Sequence, residues 1–225
     1  MYSSTFSRTV RCIQSTFEAA SVFRHRGSRG VSTLADNPHI YVFKHPIEPN
    51  RHILSLLPTE PPTASLAIGT TTSIPPTPDT LTENHQFLGI LQSVLYTYAL
   101  QDPEVKQQAA VFASPGGFNL GSGAGAGAGP ASKQGGIGGA NKGGWLHVSD
   151  SRNPPDWGRI AWPEDIFGSL EVDGNGNFAE SDGNYQPSGT YRIITREGIL
   201  GLSPFLRERL VERLRELEKQ QKQHS

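Results

Sequence analysis

Sulfur is nearly missing from this 225-residue chain, which has one cysteine, Cys12, and one methionine. A single thiol leaves no internal disulfide framework and no cysteine-based metal site. Long hydrophobic runs are missing too. No stretch approaches the 18 consecutive apolar residues of a membrane-span candidate, so no span is expected. Hydrophobic residues make up 35 % of the chain, less than a globular domain usually carries. Net charge is almost absent, at −1. That near-zero total hides an asymmetry. Residues 1–31 hold five arginines against one acid, Glu18, a balance of +4 that leaves −5 for the rest. A mildly acidic body argues against unspecific binding to a phosphate backbone, which needs a basic surface.

What is present is unevenly spread. Residues 1–31 are rich in Arg, Ser and Thr. Phe6, Val10, Ile13 and Phe17 recur at helical spacing, with Arg8 and Arg11 on other faces. An Arg-rich amphipathic helix nearly free of acids has the composition of a mitochondrial targeting segment. Arg29-Gly-Val-Ser32 resembles a matrix-protease cleavage site. Localisation to the mitochondrial matrix is therefore expected.

Residues 32–80 read as a Pro-rich extended arm. Its short apolar runs, Ile40–Phe43, Ile53–Leu57 and Leu66–Ile68, are bounded by prolines and predict edge strands packed on a core. His39, His45 and His52 lack the spacing of metal ligands. Residues 81–114 form a helical segment. Phe87, Leu91, Val94, Leu95 and Tyr98 make a one-sided stripe. Asp102-Pro-Glu104 then supplies a cap, a first-turn proline and a first-turn acid. Two helices are predicted, near 84–101 and 103–113.

Residues 115–143 read as a flexible Gly-rich linker. They match neither phosphate-binding template: Ala126 and Asn141 stand where G-x-G-x-x-G needs its third glycine, and Lys142 is followed by glycine rather than Ser or Thr.

Residues 144–225 read as a Trp-containing β module closed by a helix. Trp145–Ser149, Ile166–Val172 and Thr190–Thr195 predict strands. Asp173-Gly-Asn-Gly-Asn177 predicts a hairpin turn; as a calcium loop it fails at Phe178 and Asn184. Ser203-Pro204 opens a final helix with a leucine stripe and a face of alternating Arg and Glu.

The chemistry-bearing candidates lie in this module. His147, Ser149 and Asp150 are the one set that could support acyl transfer, although the serine sits on no nucleophile elbow. Trp157 and Trp162 with Arg152 and Arg159 make a candidate binding surface, because Trp and Arg are enriched at interface hot spots. No cofactor and no metal is implied. The expected fold is α+β: a small, mostly antiparallel sheet with two or three packed helices, beside a disordered N-terminus and the Gly-rich linker. The expected role is that of a non-catalytic mitochondrial accessory protein binding another mitochondrial protein, its oligomeric state open. The alternatives are a small hydrolase or transferase using His147, Ser149 and Asp150, and an RNA- or ribosome-associated factor.

Overall fold

The prolines of the N-terminal half sit between strands rather than in them, and this decides the architecture. In the computed structural model, which describes residues 32–113, 143–155 and 159–224, residues 32–83 form a five-stranded antiparallel sheet. Its strands are β1 (Ser32–Thr33), β2 (Tyr41–Lys44), β3 (His52–Ser55), β4 (Gly69–Thr71) and β5 (Leu81–Glu83), paired in chain order. The arm expected to supply edge strands is thus a complete meander. Pro46 and Pro49 fall in the β2–β3 turn, Pro58, Pro61 and Pro62 in the β3–β4 loop, and Pro75, Pro76 and Pro78 in the β4–β5 turn. There they terminate strands and remove no ladder hydrogen bond. Val42 and Leu54, opposite each other on β2 and β3, face the main core. The alternate pair, Phe43 and Ile53, forms a second small cluster with Ala67 and Tyr41 on the other face, as a period of two requires.

The helices fall where the periodicity puts them. Helix α1 spans His85–Tyr98 and runs through a 3-10 turn, Ala99–Gln101, towards α2, Pro103–Ala113. Asn84 caps α1 by accepting from the Gln86 N–H at 3.0 Å, while its amide donates to the carbonyls of Ala64, Ser65 and Ala67. One residue thus starts the helix and ties it to the β3–β4 loop. Phe87, Leu91, Val94 and Leu95 are buried against the core.

After residue 142 the chain forms β6 (Gly144–Ser149), β7 (Ile166–Val172) and β8 (Gln186–Pro187), a three-stranded antiparallel sheet. The Asp173–Asn177 turn joins β7 to an isolated bridge between Val172 and Phe178. The Asp173 carboxylate accepts from the Asn175 and Asn177 N–H groups, both at 2.8 Å, and these bonds hold its pKa below the usual value. The oxygens that a cation would need are the acceptors that build the turn.

A short hairpin, β9 (Ile194–Thr195) with β10 (Gly198–Ile199), precedes α3, Pro204–His224. Only the last two residues of the expected Thr190–Thr195 strand pair with another strand. Helix α3 packs along α1, and Leu206, Leu210 and Leu214 are buried in the main core. The two later helices share a cap. Asp102 accepts from the Glu104 N–H at 3.0 Å and from the Ser203 hydroxyl at 2.6 Å. Ser203 in turn accepts from the Leu206 N–H at 3.1 Å. One hydrophobic cluster runs from Leu34 through Phe87 to Leu214, so the meander, the helices and the tryptophan module share a core. Among the described residues, no helix is long and apolar enough to cross a membrane. The segment expected to direct mitochondrial targeting, the Gly-rich stretch up to residue 142, and Trp157 lie outside the described residues.

Candidate functional site

The three residues grouped as a catalytic set are separated by the path of one strand. On β6, His147 stands opposite Ser169 of β7, and its Nδ1 lies 2.8 Å from the Ser169 Oγ. The half-buried imidazole loses hydration, which lowers its pKa and keeps the ring neutral near pH 7. The register shifts between Val148 and Ser149, which brings Ser149 opposite Ile166 and leaves Phe167 without a partner across the ladder. Such a bulge re-aims side chains, and Phe167 is buried in the main core. Asp150 then leaves the strand and turns inward. The structure brings His147 to Ser169, not to Ser149, and takes Asp150 elsewhere.

Asp150 belongs to a buried cluster centred on Arg152. The Arg152 side chain is 3 % exposed, that of Asp150 0 % and that of Asp165 1 %. The guanidinium Nε donates to Asp165 at 2.7 Å and lies 3.7 Å from Asp150. Nη1 donates to the Ile193 carbonyl at 2.8 Å, and Nη2 donates to the carbonyls of Glu164 and Arg192 at 2.9 and 2.8 Å. One Asp150 oxygen accepts from the N–H groups of Arg152 and Gly201; the other accepts from the Tyr191 hydroxyl at 3.0 Å. Arg152 also lies 5.5 Å from the centre of the Tyr191 ring, which packs on Phe167.

Gly201 has to be glycine for this cluster to close. A Cβ there would come within 2.6 Å of both the Arg152 nitrogen and the Asp150 carboxylate. Burial raises the Asp150 pKa, with the Arg152 charge and the hydrogen bonds acting in the opposite direction. The same burial, reinforced by Asp150, pushes the Tyr191 hydroxyl well up.

This geometry corrects two expectations. The sequence pattern points to Arg152 as a surface binding residue and to Asp150 as a partner for His147, yet both are interior. The physical reason is that the planar fork of donors reaches the carbonyls of Glu164, Arg192 and Ile193 at once, adding to the backbone N–H groups of Arg192 and Leu200 that the Glu164 and Ile193 carbonyls already accept. The cluster staples segments 150–153, 162–165, 191–193 and 200–201 together.

The aromatic candidates have different surroundings. Trp145 is half-buried on β6, opposite Glu171. Trp162 is 68 % exposed, and Ile160, two residues before it, is 44 % exposed. The loop that carries them is anchored on both sides of the indole. Ala161 is buried. The Trp162 carbonyl accepts from the Asp165 N–H at 2.8 Å, and the Pro163 carbonyl accepts from the Thr190 hydroxyl at 2.8 Å. Arg159 is exposed on the same loop. Trp162, Ile160 and Arg159 thus share one solvent-facing segment held by the Arg152 cluster beneath it.

Sequence reasoning missed two adjoining cavities beside α3. One of about 220 Å³ is lined by Asp36, His39, Ser151 and Arg207 among others, and one of about 370 Å³ by Tyr41, Val211 and Arg215 among others. His39, Leu56 and Arg207 line both. The sequence signal is the spacing of four between Arg207, Val211 and Arg215. Among the described residues, no group of three or more His, Cys, Asp or Glu side chains is placed to hold a metal ion. Comparison of the chain with protein-family models, with curated proteins and with solved structures finds no match in any of the three.

Proposed function

We propose that this chain is a non-catalytic accessory protein of the mitochondrial matrix, and that it binds a partner protein through the Arg159–Pro163 loop. The observation that carries the reading is the exposure of Trp162 on a rigidly anchored loop. A tryptophan contributes roughly 150–250 Å² of surface, so 68 % exposure leaves on the order of 100–170 Å² in water. Covering that area is worth about 2.5–4 kcal/mol at roughly 25 cal/mol per Å². Single exposed apolar residues need no explanation. Ile47, 83 % exposed in the β2–β3 turn, is such a case. Trp162 differs in three ways: it is large, it has Ile160 and Pro163 beside it, and its backbone is fixed before any partner arrives. Pre-fixed aromatic anchors lose little conformational entropy on binding, and tryptophan is the residue type most enriched at binding hot spots.

The hydrolase or transferase reading retains one specific observation, the 2.8 Å approach of His147 to Ser169. In that reading Ser169, not Ser149, is the hydroxyl next to the base. Replacing Ser169 with alanine would then abolish turnover of an activated ester, and unchanged background hydrolysis would remove the reading.

The accessory reading is tested by purifying tagged wild-type and Trp162→Ala chains from mitochondria under identical conditions. The expected result is a stoichiometric partner with the wild type that is lost with the variant, while the two melting temperatures agree within a few degrees. Equal recovery of the partner with both chains would contradict it. Import of a reporter fused to residues 1–35 tests the location; a cytosolic signal refutes it.

A further inference from the structure

The two cavities beside α3 have walls in common, and the helix face that lines them carries Arg207 and Arg215 on either side of Val211. Both arginines make no ion pair and no side-chain hydrogen bond among the described residues, although Arg207 is half-buried at the junction of the two cavities. Their neighbours on the same helix behave differently. Arg209 binds Glu212 at 2.7 Å and Arg213 binds Glu216 at 3.0 Å. Two guanidinium groups are therefore left with free donor forks along one groove, whose lining also includes the apolar side chains of Leu56, Val211, Tyr41 and Pro58. Of the acids that line it, Glu212 is already engaged with Arg209, while Glu208 and Asp36 touch neither arginine within ion-pair distance.

We infer that this groove binds an acidic peptide segment in extended conformation, with two carboxylates four residues apart. The spacing follows from the two backbone geometries. Arg207 and Arg215 are eight residues apart, about 12 Å along a helix that rises 1.5 Å per residue. An extended chain rises roughly 3.3 Å per residue, so four residues span about 13 Å and return to the same face. Planar guanidinium forks match carboxylates bidentately, which makes the pairing geometric as well as electrostatic. Residues between the two carboxylates would lie over Val211 and Leu56. The groove is separate from the Trp162 loop, so its occupant and the partner proposed above are tested independently.

The test is fluorescence anisotropy with the full chain and a labelled nine-residue peptide holding two glutamates separated by three small residues. The expected result is saturable binding that weakens with salt and weakens tenfold or more for Arg207→Gln and for Arg215→Gln. Glu208→Gln tightens it, because an opposing charge is removed from the rim. Trp162→Ala leaves it unchanged. A peptide with adjacent glutamates binds at least tenfold more weakly. Equal affinity for the two peptides, or an affinity indifferent to both arginine variants, overturns the proposal. So does full displacement by millimolar inorganic phosphate, which would make the groove a small-anion site. All four substitutions lie on the surface or rim, and unchanged thermal melting shows that lost binding is not lost folding.

Discussion

Arg152 commits four of its five N–H donors to groups from two other segments of the chain, and the fifth segment-to-segment tie comes through Asp150 and Gly201. Removing the guanidinium would leave two buried carboxylates uncompensated and take a donor from three carbonyls. Breaking a buried ion pair from one side costs about 3–5 kcal/mol. Arg152→Met is expected to lose that much in urea denaturation, and Arg152→Lys is expected to recover little of it, because an ammonium cannot reach four divergent acceptors. A loss under 1 kcal/mol for Arg152→Met would show that the loops hold without the cluster. Asp150 adds a pH signature. Its folded-state pKa is raised above the ordinary 3.8 chiefly by burial, so the folded chain holds this proton more tightly than the unfolded one. The stability that this group contributes is full below that ordinary value and is lost as pH rises through the raised one. The stability of the wild type minus that of Asp150→Asn should therefore fall with rising pH across the mildly acidic range. A difference that rises there would mean that Arg152 outweighs burial.

Elements were legible wherever one periodicity dominated. The stripe of α1, the Asp102-Pro-Glu104 restart and the Ser203-Pro204 opening were all readable, because caps and stripes are local features. The shared cap was not. The sequence marks Asp102 and Ser203 as separate helix starts, and only the fold puts their side chains 2.6 Å apart. Each of Asp102→Ala and Ser203→Ala should cost about 1–3 kcal/mol, as a lost cap plus a buried polar group left without its partner. The double variant should cost clearly less than the sum, since the second change removes the orphan made by the first. Strict additivity in denaturant titrations would mean that the two caps act alone. The meander was under-read for a related reason. Prolines near apolar runs argue against central strands only when they fall inside the ladder, and here the loops absorb them. The candidate site shows the same limit. His147 and Ser149 are two apart in sequence, but the neighbour that matters to His147 is Ser169, which strand register alone supplies. Arg152 reads locally as a surface charge because its acceptors, Asp165 and the carbonyls of Glu164, Arg192 and Ile193, lie 12 to 41 residues away in sequence.

At the scale of the molecule, one core joins the meander, three helices and the tryptophan module, and the Arg152 staple ties residues 150–153 and 164–165 into one platform. Trp162 faces water from that platform. The role proposed for this exposure is to meet a protein partner. The most direct measurement places a photo-crosslinking amino acid at position 162, and in a parallel chain at exposed Lys219, and irradiates intact mitochondria. One discrete higher-mass adduct is expected from position 162, and none of that mass from position 219. No adduct at position 162, or the same smear of products from both positions, would contradict it.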